Sequence, residues 1–324
     1  MLKDINGIII IDKPKGWTSH DVVAKLRGAL KIKRVGHGGT LDPMATGVLP
    51  IFVGRATRAA EFSESADKEY IAGLMLGIVT DTQDTTGKTL RETDVDTTDA
   101  EVEAVLPRFL GASKQTPPMY SAIKQGGKKL YELARKGIEV HRPERDIFIA
   151  DIEMLESKKS SKGTAHLLEV SKGTAYPHPS SSRTIHLLSD EYILRIACSK
   201  GTYIRTLCHD IGRALGCGAA MSSLRRTRAG AFTIDMAHTL ESALDAVSQG
   251  ELAKIIKPVD SMFPDYPAIT LGEADSRRCK NGLPCRDGVL ADGRYRFYGP
   301  DNEFLLLGEV VGREMRIIKS FFTP

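Results

Sequence analysis

The stretch from residue 33 to residue 55, KRVGHGGTLDPMATGVLPIFVGR, constrains the fold more than any other part of the sequence. Four glycines surround a single acid, Asp42, and the apolar run VLPIFV follows. Glycines at this density are typical of a loop that bends sharply or lets another group approach its backbone. Pro43 keeps Asp42 out of helical dihedrals. The pattern therefore predicts a bent loop that leads into a buried strand.

Asp42 has two interpretations from this pattern. A lone carboxylate on a loop beside a strand is typical of a positioned nucleophile or base. The alternative is a tight turn in which the Asp side chain hydrogen-bonds its own backbone, as Asp often does. A phosphate-binding loop is disfavoured, because GHGGTLDP lacks both the GK[ST] ending of a P-loop and the spacing of GxGxxG.

The composition indicates an ordinary globular protein. At 324 residues, with 41% hydrophobic and 27% charged residues, the chain predicts two domains and a sizeable core. No apolar run approaches membrane-spanning length, and the N-terminal run is too short for a signal peptide. The five cysteines are odd in number and lack CxxC spacing, so we expect reduced cytosolic thiols. The eight histidines show no ligand spacing, so we expect no metal.

Positive charge is concentrated in one region. The net charge is only +4, but residues 195–228 hold seven basic residues and one acid, Asp210. The basic residues are Arg195, Lys200, Arg205, Arg213, Arg225, Arg226 and Arg228. A solvated helix face usually carries mixed signs, so this excess predicts a polyanion partner.

Hydrophobic periodicity and capping signals predict the main elements. The expected strands are 7–11, 48–53, 71–80, 146–155 and 191–198. The expected helices are 20–31, 128–136, 204–215, one after the Thr98–Glu101 capping box, and one after Thr239. Residues 157–190 are rich in Ser, Lys, Gly and Thr, with repeated SKGT, and predict a loop insertion. From about residue 267, short strands and Gly-rich turns predict a small β-barrel on a short linker.

Several segments, in order, resemble the successive motifs of the TruB-type tRNA pseudouridine synthases. They span about residues 5 to 232 and are INGIIIIDKPKGWTSHD, GHGGTLDPMATGVLP, DKEYIAGLMLG with TDTQDTTG, PPMYSAIKQGGKKLYELARKGIEV, SKGTYIRTLCHDIGRALGCGA and LRRTRAG. The C-terminal segment is similar to the small PUA-like β-domain that many members carry. The insertion at 157–190 has no counterpart in the family pattern.

The resemblance implies a fold and a reaction. The fold is a mixed α/β (α+β) pseudouridine synthase domain, residues 1–260, whose long, mainly antiparallel sheet is split by the active-site cleft. A PUA-like RNA-binding domain, residues 266–324, follows. The reaction isomerises the uridine at position 55 of the tRNA T-loop: the N1–C1′ bond breaks, the uracil turns, and C5 bonds to C1′. The implied enzyme is a cytoplasmic monomer that binds the tRNA T stem-loop and needs no cofactor, metal or membrane.

The resemblance also implies three catalytic residues. Asp42 matches the essential aspartate, which either attacks the ribose or assists its deprotonation. Arg205 matches the arginine that pairs with and orients it. Tyr70 matches the tyrosine over the target base and is a candidate for moving the C5 proton, with help, because a free phenol is a poor base.

The remaining matches concern RNA binding. Such enzymes extrude the target base, and His37 matches the residue that takes the vacated place. Tyr203 and Leu224 match positions that line the uracil pocket, and Asp84 matches an acid near Tyr70 and Arg205. Lys13 and Lys200 are expected phosphate contacts.

Two other functions share these features. One is an RNA chaperone on the same fold that acts without chemistry, which would need the basic cluster but not Asp42. The other is a relative that acts on rRNA within a larger ribonucleoprotein. The absence of long basic tails favours the tRNA-directed enzyme.

Overall fold

The structure, a computed structural model, describes residues 5–159, 190–284, 290–312 and 314–322. These residues divide into two compact units. Unit 1 takes the described residues within 1–42, 47–65 and 228–324, and unit 2 those within 43–46 and 66–227. The expected insertion at 157–190 lies almost entirely in residues 160–189, outside the described residues.

The strands, in chain order, are β1 (Gly7–Lys13), β2 (Val35–His37), β3 (Thr46–Val53), β4 (Lys68–Leu76), β5 (Ile78–Thr80), β6 (Thr89–Glu92), β7 (Gly111–Gln115), β8 (Lys124–Gln125), β9 (Lys128–Lys129), β10 (Arg145–Lys158), β11 (Glu191–Cys198), β12 (Ala219–Ala229), β13 (Phe232–Thr233), β14 (His238–Thr239), β15 (Ile256–Lys257), β16 (Ala268–Thr270), β17 (Gly293–Tyr298), β18 (Phe304–Val311) and β19 (Glu314–Ser320). The α-helices are α1 (Ser19–Leu30), α2 (Ala60–Ser65), α3 (Asp99–Val105), α4 (Leu130–Ala134), α5 (Ile204–Leu215), α6 (Leu240–Ser248) and α7 (Glu273–Lys280). No helix among the described residues is both long and apolar enough to cross a bilayer.

Strand β1 is the centre of unit 1. Its four consecutive isoleucines, Ile8 to Ile11, have no exposed surface, which explains why the sequence shows a continuous apolar run rather than an alternating one. It pairs antiparallel with β3 from Gly7 opposite Val53 to Lys13 opposite Gly47. Strand β15 pairs antiparallel and β14 parallel with β1, and β2 pairs antiparallel with β3.

Helix α1 confirms the predicted helix after β1. Thr18 is the N-cap, and its side chain accepts a hydrogen bond from the N–H of Asp21 while the Asp21 carboxylate accepts one from the N–H of Thr18. This reciprocal capping box satisfies two N–H groups that the first turn cannot pair internally. Val22, Val23, Leu26 and Leu30 form the buried stripe, and Lys31 ends the helix in the left-handed conformation, with φ 55°.

The C-terminal strands form a four-stranded sheet in the order β16-β17-β18-β19. It shares a core with the N-terminal strands of unit 1, in which Phe52 of β3 belongs to the same cluster as Phe263, Leu307 and Phe321. Helix α7 was not predicted, because its buried residues are only Ser276 and Cys279 and no apolar stripe marks it. The division into domains 1–260 and 266–324 stays a prediction, since unit 1 joins the C-terminal sheet to residues near the N-terminus.

Unit 2 contains a sheet in the order β12-β4-β11-β10-β7. Strand β11 pairs antiparallel with β4, from Glu191 opposite Met75 to Cys198 opposite Lys68, and with β10 on its other side. Alternate residues of β11, Tyr192, Leu194 and Ile196, have no exposed surface. The mixed α/β class with mainly antiparallel sheets is confirmed.

Helix α5 also confirms its prediction, and it carries a half-buried titratable pair. Burial lowers the pKa of His209, and the nearby Asp210 carboxylate opposes this while the Arg213 and Arg91 guanidinium groups add to it. Burial raises the pKa of Asp210 against the attraction of Arg213 and His209. Folding therefore shifts the protonation equilibrium of both side chains towards the neutral form.

We expect the stability of the protein to fall on acidification from pH 7.5 to pH 5.5, in part through His209. Because the folded pKa is lowered, the unfolded chain binds more protons below its ordinary histidine pKa of about 6.5, so the stability rises with pH through this window. Thermal unfolding of His209→Gln across the same range should show a smaller loss than the parent protein. An equal loss in both proteins would exclude His209 as a contributor. The raised pKa of Asp210 has the opposite sign and acts at lower pH.

Candidate active site

The loop that carries Asp42 is fixed immediately before the acid. The N–H of Leu41 donates to Oγ of Ser19 at 2.9 Å, and that hydroxyl lies 3.2 Å from the Leu41 carbonyl oxygen. Leu41 is 3% exposed, whereas Asp42 is half-buried. Since Ser19 is the first residue of α1, the helix start anchors the backbone next to the carboxylate. Asp42 is also the last residue of its segment of unit 1.

Three glycines of this loop are required by its geometry. Gly47 has a φ of 102°, which favours glycine, and its N–H donates to Oδ1 of Asp12 at 3.1 Å. A Cβ on Gly38 would lie 2.5 Å from the Cβ of Ser63. Gly39 also has a left-handed φ, of 98°, so the glycine density seen in the sequence reflects two left-handed positions and one close approach.

His37, which the resemblance places at the vacated base, is the last residue of β2. It is half-buried and lies opposite Ile51 of β3. Its ring meets the ring of His20 edge to face, with centroids 5.2 Å apart and an interplanar angle of 71°. His37 therefore lies in a strand that pairs with β3, and its role at the place of the extruded base stays a prediction.

Lys13 requires a correction. It was expected to contact phosphate, but its side chain has no exposed surface. Its ammonium group donates to the carbonyl oxygens of Trp17 at 2.6 Å and Pro14 at 2.9 Å. A buried ammonium needs such partners because desolvation is costly. Lys13 therefore holds the turn between β1 and α1, and this burial disfavours the phosphate contact.

Arg205 is a buried side chain that two other segments hold, the turn at Thr82–Asp84 and the chain at Tyr120. It is 5% exposed, within the first turn of α5. Nη1 donates to the carbonyl oxygen of Thr82 at 3.2 Å, and Nη2 donates to that of Tyr120 at 2.9 Å. Nη1 also lies 3.7 Å from Oδ2 of Asp84. The planar guanidinium suits such a fork of acceptors, so its direction is fixed by contacts distant in sequence.

Asp84 is itself ordered by a threonine-rich turn. Its Oδ1 accepts hydrogen bonds from the hydroxyls of Thr82 and Thr86, at 2.9 and 2.5 Å, and from the N–H of Thr86 at 3.0 Å. The hydroxyl of Thr80 donates to its carbonyl oxygen at 2.7 Å. Oδ1 is thereby engaged by the turn while Oδ2 faces Arg205. The predicted proximity of Asp84 to Arg205 is present in the structure.

Tyr203 is the N-cap residue of α5 and has no side-chain cap. The buried amide of Gln115, at the end of β7, substitutes for one. The N–H of Tyr203 donates to Oε1 of Gln115 at 2.8 Å, and Nε2 of Gln115 donates to the Tyr203 carbonyl oxygen at 3.1 Å. Gln115 was not among the predicted site residues, although it lies two residues before the PPMYSAIK segment that carries part of the resemblance.

We expect Gln115→Met to lower the free energy of unfolding by about 2 kcal/mol, because it leaves two main-chain polar groups of Tyr203 without their partner. Urea denaturation of the full chain measures this change. Gln249→Met is the matched control, since Gln249 is exposed at the end of α6, and it should change stability by less than about 0.5 kcal/mol. Equal effects of the two substitutions would show that the amide pair does not stabilise the start of α5.

The other predicted side chains of unit 2 differ in exposure. Tyr70 lies in β4 opposite Ile196 and is 8% exposed. Leu224, in β12, is also 8% exposed. Lys200 lies in the turn before α5 and is exposed. Tyr70 and Leu224 are therefore enclosed positions, whereas Lys200 is accessible to a phosphate.

Several members of the basic cluster predicted at 195–228 are buried or paired with carboxylates. Arg195 lies 2.7 Å from carboxylate oxygens of both Asp151 and Glu153 and 3.7 Å from Glu69. Arg226 is 1% exposed, within a strand that was not predicted, and Arg205 is buried. The carboxylates beside Arg195 come from the strands that pair with β11. They are distant in sequence, so the charge count over residues 195–228 does not include them.

Metal ligation has no candidate in the part of the chain that the structure describes. No group of three or more His, Cys, Asp or Glu side chains there is arranged to hold an ion. Cys198, Cys208, Cys217 and Cys279 are buried thiols. Burial raises the pKa of the Cys208 thiol to about 12, so this cysteine is not a reactive thiolate.

Comparison with known proteins identifies the class of enzyme. Residues 27–176 match the N-terminal domain of TruB family pseudouridylate synthases, and residues 205–264 match the tRNA pseudouridylate synthase B C-terminal domain. The crystal structure of a Cbf5–Nop10–Gar1 complex aligns with a TM-score of 0.68 and 26% identity, covering 98% of this chain and 85% of that one. Fold and sequence together define a pseudouridine synthase, an isomerase.

The curated relatives narrow the class. The chain is 42% identical to tRNA pseudouridine synthase B of Syntrophomonas wolfei, covering 94% of this chain and 93% of the relative. It is 40% identical to that of Ralstonia nicotianae, covering 93% and 88%. The chain belongs to the TruB family of tRNA pseudouridine synthases, which isomerise uridine to pseudouridine in tRNA, and it shares their activity.

Proposed function

We propose that this enzyme modifies the uridine at position 55 in the tRNA T-loop, and that it does so as a cytoplasmic monomer without a metal or cofactor. The relatives' names specify tRNA but not the nucleotide, so the position follows from the motif resemblance. The PUA-like segment 266–324 supplies further RNA contacts, and residues 1–260 supply the catalysis.

Asp42 performs the central step in this proposal. Its carboxylate either attacks C1′ of the flipped nucleotide or accepts a ribose proton, and both routes release uracil by breaking the N1–C1′ bond. The uracil then turns and C5 bonds to C1′, which displaces the Asp42 carboxylate in the first route and is accompanied by return of the proton to the ribose in the second. Loss of the C5 proton and protonation of N1 restore the uracil ring. The anchored backbone at Leu41 supports a positioned carboxylate, because a fixed acid loses little entropy on reaction.

The family resemblance assigns to Arg205 the orientation of Asp42, and within unit 2 Asp84 in turn orients Arg205. The observation that carries this assignment is the burial of a guanidinium with two carbonyl oxygens and one carboxylate around it. An arginine that only contacts phosphate at the surface does not need to be buried among hydrogen-bond acceptors. A catalytic cation benefits from such acceptors, because they fix its direction. Tyr70 and the pair Tyr203 and Leu224 enclose the uracil, His37 fills the gap in the RNA stack, and Lys200 contacts phosphate.

The direct test is to incubate unmodified, transcribed tRNA with the purified protein and to map pseudouridine by site. We expect modification at position 55 and none in a transcript with cytidine there. Modification elsewhere in that second transcript, or in rRNA fragments instead of tRNA, would reject the proposed substrate. Unchanged turnover after treatment with a chelator would support metal independence.

A further inference from the structure

A second basic region emerges when burial is taken into account. Residues 22–41 contain five cations, Lys25, Arg27, Lys31, Lys33 and Arg34, and no Asp or Glu. This +5 exceeds the net charge of the whole chain, +4, so the remainder carries −1. We refer to these five side chains as the α1 basic face.

All of the α1 basic face is accessible, whereas the cluster at 195–228 includes buried residues and residues paired with carboxylates. All five residues are exposed, and none of them lies within 4.0 Å of a carboxylate among the residues the structure describes. Arg27 is held in place by donating Nη2 to the Val35 carbonyl oxygen at 2.9 Å. Unpaired cations at this density repel each other, and a polyanion would relieve this repulsion.

Helix stabilisation explains only part of this charge. Cations in the last turn of a helix interact favourably with its dipole, which accounts for Arg27 and Lys31. Lys33 and Arg34 lie beyond the end of α1, where the dipole effect has faded. Their exposure without carboxylate partners points to an external ligand.

The position of this face relates it to Asp42. The start of α1 is joined to Leu41 by the Ser19 hydroxyl, and a twelve-residue helix is about 16–18 Å long. The cations at the C-terminal end of α1 therefore lie about that far from the start of the helix, several phosphates along an RNA strand.

We infer that the α1 basic face binds tRNA phosphates outside the T stem-loop that holds the target uridine. This inference rests on the proposed function and extends it from the reacting nucleotide to the body of the tRNA. The contact adds affinity through counterion release and does not touch the reacting atoms. It therefore acts on full-length tRNA and has no effect on the isolated stem-loop.

The test compares the triple variant Lys25→Gln, Lys31→Gln, Lys33→Gln with the parent protein, using full-length tRNA and the isolated T stem-loop. For full-length tRNA we expect Kd to rise about tenfold near 0.1 M salt and the slope of log K against log salt to fall by about 2. The stem-loop Kd and the single-turnover rate at saturating RNA should stay within about twofold, since the substitutions leave the catalytic groups intact.

The control variant removes the same total charge from cations that already have carboxylate partners: Lys158→Gln, Arg213→Gln, Lys254→Gln. It should weaken binding of full-length tRNA by less than about threefold. The inference fails if the control matches the α1 variant, if the stem-loop is weakened as much as full-length tRNA, or if the salt slope is unchanged. Failure of the parent protein to modify position 55 would instead reject the proposed function. The binding assays test the α1 basic face and the modification assay tests the proposed function, so the two outcomes are distinguishable.

Discussion

Asp42→Asn is expected to lower the single-turnover rate of pseudouridine formation at least about 10⁴-fold while changing the tRNA Kd by less than about threefold. The amide has nearly the shape of the carboxylate but can neither attack C1′ nor accept a ribose proton. The anchoring contacts of Leu41 do not involve the Asp42 side chain, so the loop should keep its conformation. Release of tritium from C5-labelled uridine in tRNA measures the rate, and filter binding measures Kd.

The same substitution at Asp94 is the control, because Asp94 is exposed, and it should leave both quantities unchanged. If Asp42→Asn retained substantial modification, the proposed mechanism would be wrong. If the parent protein bound tRNA and formed no pseudouridine, the chaperone interpretation would replace it. Binding and chemistry must therefore be scored separately.

The second large effect is expected at Arg205, where rate and stability should respond differently to two substitutions. Arg205→Met leaves the buried Asp84 carboxylate without its cation, and we expect a loss of about 3 kcal/mol in the free energy of unfolding with a rate lowered at least about 10³-fold. Arg205→Lys keeps the charge but cannot reach Thr82 and Tyr120 with a planar fork. We expect Arg205→Lys to be more stable than Arg205→Met and still to form pseudouridine about 100-fold more slowly than the parent protein.

The comparison of these two variants separates a catalytic guanidinium from a structural cation. Urea denaturation gives the stability, and single-turnover kinetics at saturating tRNA give the rate. A lysine variant with parental rate would show that only the charge is needed. A rate that recovered in parallel with stability would indicate that Arg205 acts by supporting the fold.

Local sequence predicted most of the elements near the site. The helix predicted over 20–31 is α1, and the predicted helix α5 ends at Gly216, whose φ of 84° needs glycine. Helix caps and apolar periodicity depend on residues within a few positions of each other, so they can be recognised in a single sequence. Strand β11 was predicted with its observed bounds, since its alternating burial follows directly from the period of two.

The elements that the sequence analysis missed have no such local signal. Strand β12 reads as a basic segment, and its burial of Arg226 follows from the strands packed around it. Helix α7 has a polar sequence and buries only two small residues. In the site, Gln115 and Tyr203 are 88 residues apart, and Arg205 and Thr82 are 123 apart. Pairings over such separations are formed only by folding.

The sequence by itself determined the Asp42 loop, the order of the family motifs and hence the reaction. Tertiary structure decided which charged side chains remain available for RNA. It enclosed Lys13 and Arg226 and surrounded Arg195 with three carboxylates, while it left the cations after Leu30 in solvent. The reason is that motif identity is a property of neighbouring residues, whereas desolvation and ion pairing depend on groups that the fold brings from distant parts of the chain.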